Sequence, residues 1–245
     1  MRNRVNEVKN QFMRKKIVSV LAVIIALQAI GIVIMGKPAL PFEDVSYKAW
    51  YRDAVAYVYE NNLLKGTSET TFSPNLPMTR GMIVTALYRL DGSPEVSMKN
   101  PFVDVNEDQG YVEAVLWASS MGIANGAGNN LFLPEEQVTR EQIAVFLFRY
   151  AAGKGADVTA QADLSVYEDS DQVSAYAKDA MAWAVACHIA EGDADNKLNP
   201  EAVATRVDAA VMLMQLSLYM EKQVGSDSGL NGYTEIQNDL KGDFL

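Results

Sequence analysis

The chain has 245 residues, 49% of them hydrophobic, so it can bury one sizeable core or a series of small ones. Its net charge of −10 is spread unevenly: residues 1–36 hold six basic residues and one acidic residue, which leaves −15 for residues 37–245. So acidic a body argues strongly against a nucleic-acid partner. The single cysteine, Cys187, excludes an internal disulfide and a Cys-rich zinc site.

The N-terminal region is predicted to direct export. Residues 1–16 are basic and polar, and Ile17 to Met35 are 19 almost wholly apolar residues. As a helix this stretch would span roughly 28 Å, enough for the hydrocarbon core of a bilayer, and the preceding cations would keep the N-terminus in the cytoplasm. A secretory signal has the same charge order but a shorter apolar core and a cleavage site. The alternatives for residues 17–36 are an uncleaved membrane anchor, a cleaved signal and a buried soluble helix.

The remaining sequence contains a pattern that occurs three times. Each copy has a Thr-Arg pair, with a Pro 6 residues before the Arg, an apolar residue 8 before it and a Gly 14 before it. The pairs are Thr79-Arg80, Thr139-Arg140 and Thr205-Arg206, and the glycines are Gly66, Gly126 and Gly192. Because a fixed spacing found three times marks a repeat, we predict three repeat units at 42–92, 101–153 and 164–222.

Each copy predicts two helices joined by a polar loop. In the first copy, apolar periodicity predicts a helix from Trp50 to Leu63 and a second from about Arg80 to Leu90. The corresponding helices are predicted near 111–121 and 140–152, and near 174–187 and 206–221. Residues 223–245 are polar with scattered apolar residues, which predicts a mobile tail.

The threonine of each Thr-Arg pair lies where a helix N-cap is expected. Three residues later come Met82, Gln142 and Asp208. Thr139 with Gln142 therefore predicts a capping box, and Thr205 with Asp208 predicts a close version of it. Thr79 lacks a residue that could return the bond.

The arginine of each pair falls at the first helical position, where a cation is disfavoured by the positive end of the helix dipole. Three arginines at this position indicate a counter-ion, which is either an acid of the same protein or an anionic ligand. Asp44, Asp104 and Asp169 open the three copies. They are predicted to cap turns, with partnership to an arginine of another copy as the alternative. Three equivalent acids do not supply the two unlike environments that acid–base catalysis requires.

Three further features have a structural and a functional interpretation. Trp50, Tyr111 and Tyr176 are predicted to share a position at the start of the first helix, as core residues or as exposed faces on which a sugar stacks. His188 occupies the place of Asn62 and Gly122, which predicts a left-handed residue ending a helix rather than a metal ligand. The run from Asp193 to Asn196 predicts a turn rather than a calcium loop. No cofactor is predicted.

The repeat resembles the S-layer homology (SLH) domain. The resemblance rests on the openings Phe42-Glu-Asp44-Val45 and Phe102-Val-Asp104-Val105, on Gly122-Ile123, on the Phe-x-Pro segments at Phe72 and Phe132, and on the three Thr-Arg pairs. It covers about 42–222, in three motifs. The resemblance implies a mainly α fold in which three tandem helix-loop-helix repeats form a pseudo-threefold spindle, preceded here by the N-terminal hydrophobic helix.

The resemblance also implies a function. SLH domains bind secondary cell-wall polysaccharide, often pyruvylated, in grooves between motifs that use the arginine of each Thr-Arg pair. We therefore expect a non-catalytic cell-surface anchoring domain, exported to the cell wall and tethered to the membrane if residues 17–35 stay uncleaved. The expected ligand-binding residues are Arg80, Arg140, Arg206, Thr79, Thr139, Thr205, Trp50, Tyr111 and Tyr176. The alternative is an interaction scaffold with decayed grooves that recruits a protein partner through its tail.

Overall fold

The computed structural model describes residues 40–228, with side chains described up to residue 223. Within this range there are six α-helices: α1 (Arg52–Glu60), α2 (Arg80–Leu90), α3 (Val112–Ser120), α4 (Arg140–Gly153), α5 (Lys178–Ala186) and α6 (Arg206–Ser228). The expectation of a mainly α protein with two helices per repeat is confirmed. The predicted basic segment 1–16, the hydrophobic helix at 17–36 and the tail from 229 onward lie outside the described residues.

The helices pair between repeats and not within them. We number the repeats motif 1 (42–92), motif 2 (101–153) and motif 3 (164–222). The second helix of each motif packs against the first helix of the next, so that α2 contacts α3, α4 contacts α5 and α6 returns to α1. The helix pairs therefore close into a ring around the aliphatic and aromatic core.

A cycle of three backbone hydrogen bonds lies at the centre of this ring. The Met78 amide donates to the Ala204 carbonyl at 2.8 Å, the Ala204 amide to the Val138 carbonyl at 2.9 Å, and the Val138 amide to the Met78 carbonyl at 3.0 Å. All three residues are fully buried and precede the Thr-Arg pair of their motif. Equivalent residues can bond in a closed cycle only around a pseudo-threefold axis, which confirms the predicted spindle.

Left-handed residues end the first helix of each motif, as predicted for His188. The φ angles of Asn62, Gly122 and His188 are 57°, 68° and 56°. The next amide then turns back, as where the Ile189 amide donates to the Ala184 carbonyl at 2.7 Å. This is the Schellman arrangement, which satisfies carbonyls that the helix end leaves free. His188 is therefore a helix-ending residue.

The recurring glycine of each motif is required by a close approach. A Cβ atom added to Gly126 would lie 2.8 Å from Cε1 of Phe102 and 2.7 Å from the Leu131 carbonyl oxygen. The rings of Phe42 and Tyr167 approach the equivalent glycines in the same way. The aromatic residue that opens each motif thus packs directly on the backbone at this glycine, which explains their joint recurrence.

Some helix ends differ from prediction. The helix predicted from Trp50 begins at Arg52, because residues 46–49 form a turn in which the Ala49 amide donates to the Ser46 carbonyl at 3.0 Å. Helix α6 continues to Ser228, past the predicted end at 221. A change to polar residues does not itself stop a helix, since Glu, Lys and Gln have good helix propensity.

Candidate functional site

Each threonine of the Thr-Arg pairs caps its helix. The Thr79 hydroxyl accepts the Met82 amide at 3.3 Å. Thr139 and Gln142 form the complete capping box, because the Gln142 side chain also accepts the Thr139 amide at 3.1 Å. Asp208 closes the third cap, since its carboxylate accepts the Thr205 amide at 2.8 Å. The three predicted caps are therefore present, and they fix the helix starts from which the arginines project.

The first amides of these helices are bound by the neighbouring motif. The Arg80 amide donates to the Glu136 carbonyl at 2.9 Å, and the Gly81 amide to the Pro134 carbonyl at 2.7 Å. The other two helix starts do the same: Arg140 and Glu141 donate to Ala202 and Pro200, and Arg206 and Val207 donate to Leu76 and Pro74. These amides join motifs, so they are engaged within the protein and do not form an open anion site.

The arginine side chains cross the same interfaces. The Arg80 Nε donates to the Phe132 carbonyl at 2.9 Å, and its Nη2 donates to the Asn125 carbonyl at 3.2 Å. Arg140 bonds the carbonyls of Leu198 and Glu191, and Arg206 bonds those of Phe72 and Lys65. Each arginine therefore holds the Phe-x-Pro loop of the next motif. The guanidinium of Arg206 also lies 4.4 Å from the centroid of the Phe72 ring.

The aspartates that open the motifs hold those loops from the other side. Asp44 accepts the Phe72 amide at 2.8 Å and the Ser73 amide at 2.7 Å. Asp104 binds Phe132 and Leu133 in this way, and Asp169 binds Leu198 and Asn199. The capping role predicted for these acids is correct, but it acts across 28–30 residues rather than within a local turn. The peptide at Phe72 is held between Asp44 and Arg206.

The three interfaces differ in charge. Arg140 forms an ion pair with Asp208, through its Nη1 and the carboxylate oxygen Oδ1. At the position of Asp208 the other motifs have Met82 and Gln142. Among the side chains of residues 40–223, no carboxylate lies within ion-pair distance of Arg80 or Arg206. One arginine is therefore neutralised by an acid of the same protein, whereas all three arginines donate hydrogen bonds to backbone carbonyls.

Burial affects the two arginines that have no ion pair. Desolvation lowers the pKa of Arg80 and of Arg206, while the nearby charges of Asp104 and Asp44 raise these pKa values. Arg206 is only 5% exposed. A cation that is removed from water without a paired anion is electrostatically costly, so both sites favour an added negative charge.

The predicted common position of Trp50, Tyr111 and Tyr176 is wrong. Tyr111 is the N-cap residue of α3, which makes it equivalent to Tyr51 and Ala177. Trp50 and Tyr176 lie one residue earlier, 66% and 59% exposed, and the equivalent residue in motif 2 is Gly110. The prediction failed because the three aromatics precede their helices by unequal numbers of residues.

Glu141 is a buried acid at the interface of motifs 2 and 3 that the sequence interpretation missed. It is 3% exposed, and its carboxylate accepts the Tyr176 hydroxyl at 2.8 Å and the Ser174 amide at 3.0 Å. Although the Tyr176 ring is largely exposed, desolvation of its hydroxyl, and then the hydrogen bond to Glu141, raises the pKa of Tyr176 to about 12. The available signal was an acid directly after the helix-start arginine, where the other motifs have Gly81 and Val207.

A cleft opens on motif 1. Its volume is about 460 Å³, and it is lined by Asp44, Tyr51 and the loop Ser73 to Pro77. The exposed ring of Trp50 lies edge-on to Tyr51, with ring centroids 5.5 Å apart. The amides at the start of α6 donate to the Leu76 and Pro74 carbonyls of the lining loop, and the Arg206 side chain binds the adjacent Phe72 carbonyl. The sequence interpretation did not identify this cleft.

Two searches of the described part of the chain are negative. Residues 40–228 contain no group of three or more metal-ligating side chains, and they contain no helix long and apolar enough to span a bilayer. In the run that begins at Asp193, the Asp193 carboxylate accepts the amides of Asp195 and Lys197 at 2.9 and 3.0 Å. This segment is a turn, as predicted.

The chain is similar to bacterial proteins that include an endoglucanase, a surface-layer protein and a cell surface protein. It is 32% identical to an endoglucanase of Bacillus sp. (strain KSM-635) over 73% of this chain and 19% of the relative. It is 28% identical to the surface-layer 125 kDa protein of Lysinibacillus sphaericus over 76% of this chain and 16% of the relative. A cell surface protein of Thermoanaerobacter kivui is 30% identical, over 58% of this chain and 19% of that protein. The chain thus spans about a fifth or less of these relatives.

The model of the S-layer homology domain matches the chain at residues 41–81, 101–144 and 166–210, one match in each motif. Together these segments make up more than half of the chain. They contain the Phe-x-Pro loops and the Thr-Arg pairs that form the three interfaces. This chain belongs to the S-layer homology domain family, whose members are cell-surface anchoring modules, and it carries three copies of the domain's motif.

Proposed function

We propose that this protein is an exported, non-catalytic anchor that binds anionic secondary cell-wall polysaccharide, of which pyruvylated polymers are one class, at the interfaces between its motifs. Membership of the family supports the anchoring role. The choice of an anionic ligand rests on Arg80 and Arg206. Neither has a carboxylate partner among the side chains of residues 40–223, although residues 37–245 carry a net charge of −15.

The chemistry follows from the geometry of guanidinium. Arg80 and Arg206 each use Nε and Nη2 on backbone carbonyls, which leaves Nη1 as a donor for a carboxylate or phosphate of the polymer. A charge-assisted contact is worth about 1.5–3 kcal/mol, which corresponds to about tenfold to hundredfold in affinity. Thr79, Thr139 and Thr205 would act by fixing the helix starts. Trp50, Tyr111 and Tyr176 would offer aromatic surface to sugar rings.

Because residues 37–245 are acidic, the protein can bind a polyanion only through specific local contacts. A polyanion is repelled by a surface of net charge −15, so general electrostatic attraction cannot hold this protein on a wall. Binding must come from contacts that are partly removed from water, where an unpaired arginine interacts strongly. We infer that the polymer is held by a few specific anionic groups.

The test is cosedimentation of the full-length protein with isolated wall sacculi, before and after acid removes the anionic polymer. The proposal predicts binding to native sacculi that is lost after stripping. Equal binding to both preparations, or binding to neither, would contradict it.

Arginine variants test the contacts, with a control in the same fold. Arg206→Gln is expected to weaken binding about tenfold or more. Arg80→Gln is expected to weaken binding less, because the loop that Arg80 holds carries Glu135 and Glu136. Arg140→Gln removes the same carbonyl contacts, but Asp208 already neutralises this arginine, so its loss in affinity is expected to be smaller. Melting curves of the three variants would correct for any loss of folded protein. A larger loss of binding for Arg140→Gln than for the other two would oppose the proposal.

One observation favours a second candidate, an interaction scaffold. All three arginines and all three helix starts make contacts that hold the motifs together, so the repeat pattern has a structural cause that needs no ligand. In that case the repeats would be a fold, and a protein partner would be recruited elsewhere, for example by the tail. Recovery of the same protein partner from native and from glycan-stripped envelopes would favour this candidate.

A further inference from the structure

The three motifs present three versions of one loop, and these loops differ in charge. In motif 1 the two residues after the proline of the Phe-x-Pro segment are Asn75 and Leu76. In motif 2 they are Glu135 and Glu136. All four side chains are exposed, so the difference is a property of the surface rather than of the core.

The interface between motifs 2 and 3 also carries acidic residues, on the loop and beside the arginine. Its loop carries Glu201 at the position of Asn75, and the arginine that reaches this loop, Arg140, is paired with Asp208. The interface of motif 1 differs from both. The only carboxylate lining its cleft is Asp44, and both oxygens of Asp44 already accept backbone amides.

The same cleft has the surface that a sugar ring requires. Tyr51, Pro74, Leu76 and Pro77 supply apolar faces, and Asn75 supplies an amide that can both donate and accept hydrogen bonds. The volume of about 460 Å³ belongs to a shallow depression that is open to solvent rather than to an enclosed cavity. Trp50, whose indole is 66% exposed, stands beside Tyr51 and extends the aromatic surface outward.

We propose that the motif 1 cleft, between Tyr51 and the loop Ser73 to Pro77, is the main sugar subsite of the protein, and that the equivalent surfaces of motifs 2 and 3 are secondary or silent. This inference rests on the proposed function, because it names the place where a unit of the anionic polysaccharide lies. The uncharged loop admits a ring that bears an acidic substituent. Arg206 does not line the cleft, but its guanidinium is bonded to the Phe72 carbonyl behind this loop, and its positive charge would partly offset the charge of that substituent.

The first test exchanges charge between equivalent loops. The double variant Asn75→Glu, Leu76→Glu gives motif 1 the residues of motif 2, at exposed positions whose backbone contacts do not depend on the side chain. It is expected to reduce the affinity of the full-length protein for native sacculi about tenfold or more. The matched variant Glu135→Asn, Glu136→Leu removes two acids from motif 2 and is expected to leave the affinity unchanged or to raise it.

The second test uses the tryptophans as a local probe. The chain has three, and Trp117 and Trp183 are 3% and 0% exposed, so acrylamide quenching reports chiefly Trp50. Addition of polysaccharide extracted from the sacculi is expected to protect the fluorescence from quenching. The protection is expected to disappear in Trp50→Phe, which keeps an aromatic face for the sugar.

The outcomes separate this inference from the proposed function. If the wild-type protein fails to bind native sacculi, both are wrong. If it binds and the Asn75→Glu, Leu76→Glu variant binds equally well, or if the exchange in motif 2 has the larger effect, anchoring stands and the subsite assignment is overturned. Wild-type binding without any protection of Trp50 would also overturn the assignment.

Discussion

Gly126 and Gly110 show how much a single position can be constrained by its neighbours. Both are glycines of motif 2, but a Cβ at Gly126 would meet the Phe102 ring and a carbonyl oxygen, whereas a Cβ at Gly110 would meet nothing within 4 Å. The carbonyl is backbone and cannot move aside as a flexible side chain can. The recurrence of the first glycine is thus a matter of space, and not of turn conformation.

We expect Gly126→Ala to lower the free energy of unfolding by about 1–3 kcal/mol, the usual cost of overpacking. Gly110→Ala is the control and should leave stability unchanged or slightly raised, because alanine has less conformational freedom in the unfolded chain. Urea unfolding followed by circular dichroism measures both. Equal effects of the two substitutions would show that the close approach of Phe102 is not limiting.

Tyr176 and Glu141 make a contact that depends on pH. The pKa of Tyr176 is raised from 10.0 to about 12, first by desolvation of the hydroxyl and then by its hydrogen bond to the buried Glu141 carboxylate. The stability that this contact contributes is therefore complete below pH 10 and is lost as the pH rises towards 12. NMR of 13C-labelled tyrosine, with the Tyr176 signal assigned by its loss in Tyr176→Phe, should show this ring titrating near 12, and Glu141→Gln should lower this pKa. An unchanged titration in Glu141→Gln would refute the assignment.

At the scale of the elements, the helix starts combine capping with contact between motifs. Asp208 has two tasks: one oxygen closes the cap at Thr205, and the other pairs with Arg140. Gln142 closes its helix cap but forms no ion pair, and Met82 does neither. The three interfaces therefore have unequal electrostatic stability despite equal backbone geometry.

A double-mutant cycle on Arg140→Gln and Asp208→Asn should give a coupling energy of about 1–3 kcal/mol, because both partners are largely buried. Asparagine keeps an oxygen for the cap, so the cycle isolates the ion pair. A cycle on Arg140→Gln and Glu136→Gln is the control, since Glu136 belongs to a different interface. Coupling in the second cycle as large as in the first would argue against a specific pair.

The sequence predicted the elements well and the interfaces poorly, for a physical reason. Helix starts depend on local bonds, so Thr139 and Gln142 could be recognised from spacing alone. The left-handed His188 followed from its alignment with Gly122. The partners of Arg80 are the backbone carbonyls of Phe132 and Asn125. Because every residue has a backbone carbonyl, the residue types in the sequence do not indicate which one accepts the bond. The cleft of motif 1 likewise depends on how distant segments meet.

At the scale of the whole molecule, the ring of motifs has no free end among the described residues. Helix α1 of motif 1 packs on α6 of motif 3, and the three central amides bond in a cycle. Removal of one motif exposes an apolar face on each of the other two. The molecule should therefore fold as one unit, although its sequence is a tandem repeat.

A truncated chain that ends at residue 163 tests this closure. It lacks α5 and α6, so α4 and α1 lose their helix partners and Val138 loses the Ala204 amide. We expect no cooperative thermal transition in the truncated chain and a single transition in the full-length protein. A cooperative transition in the truncated chain would mean that motifs 1 and 2 are stable without the ring.

The most direct test of the central claim, recognition of an anionic wall polymer, is calorimetric titration of the full-length protein with purified polysaccharide before and after its anionic groups are removed chemically. The account predicts that affinity falls about tenfold or more on removal, since the polymer's charge is what the unpaired arginines bind. Unchanged affinity for the neutral polymer would contradict it. The arginines would then serve only to hold the motifs together.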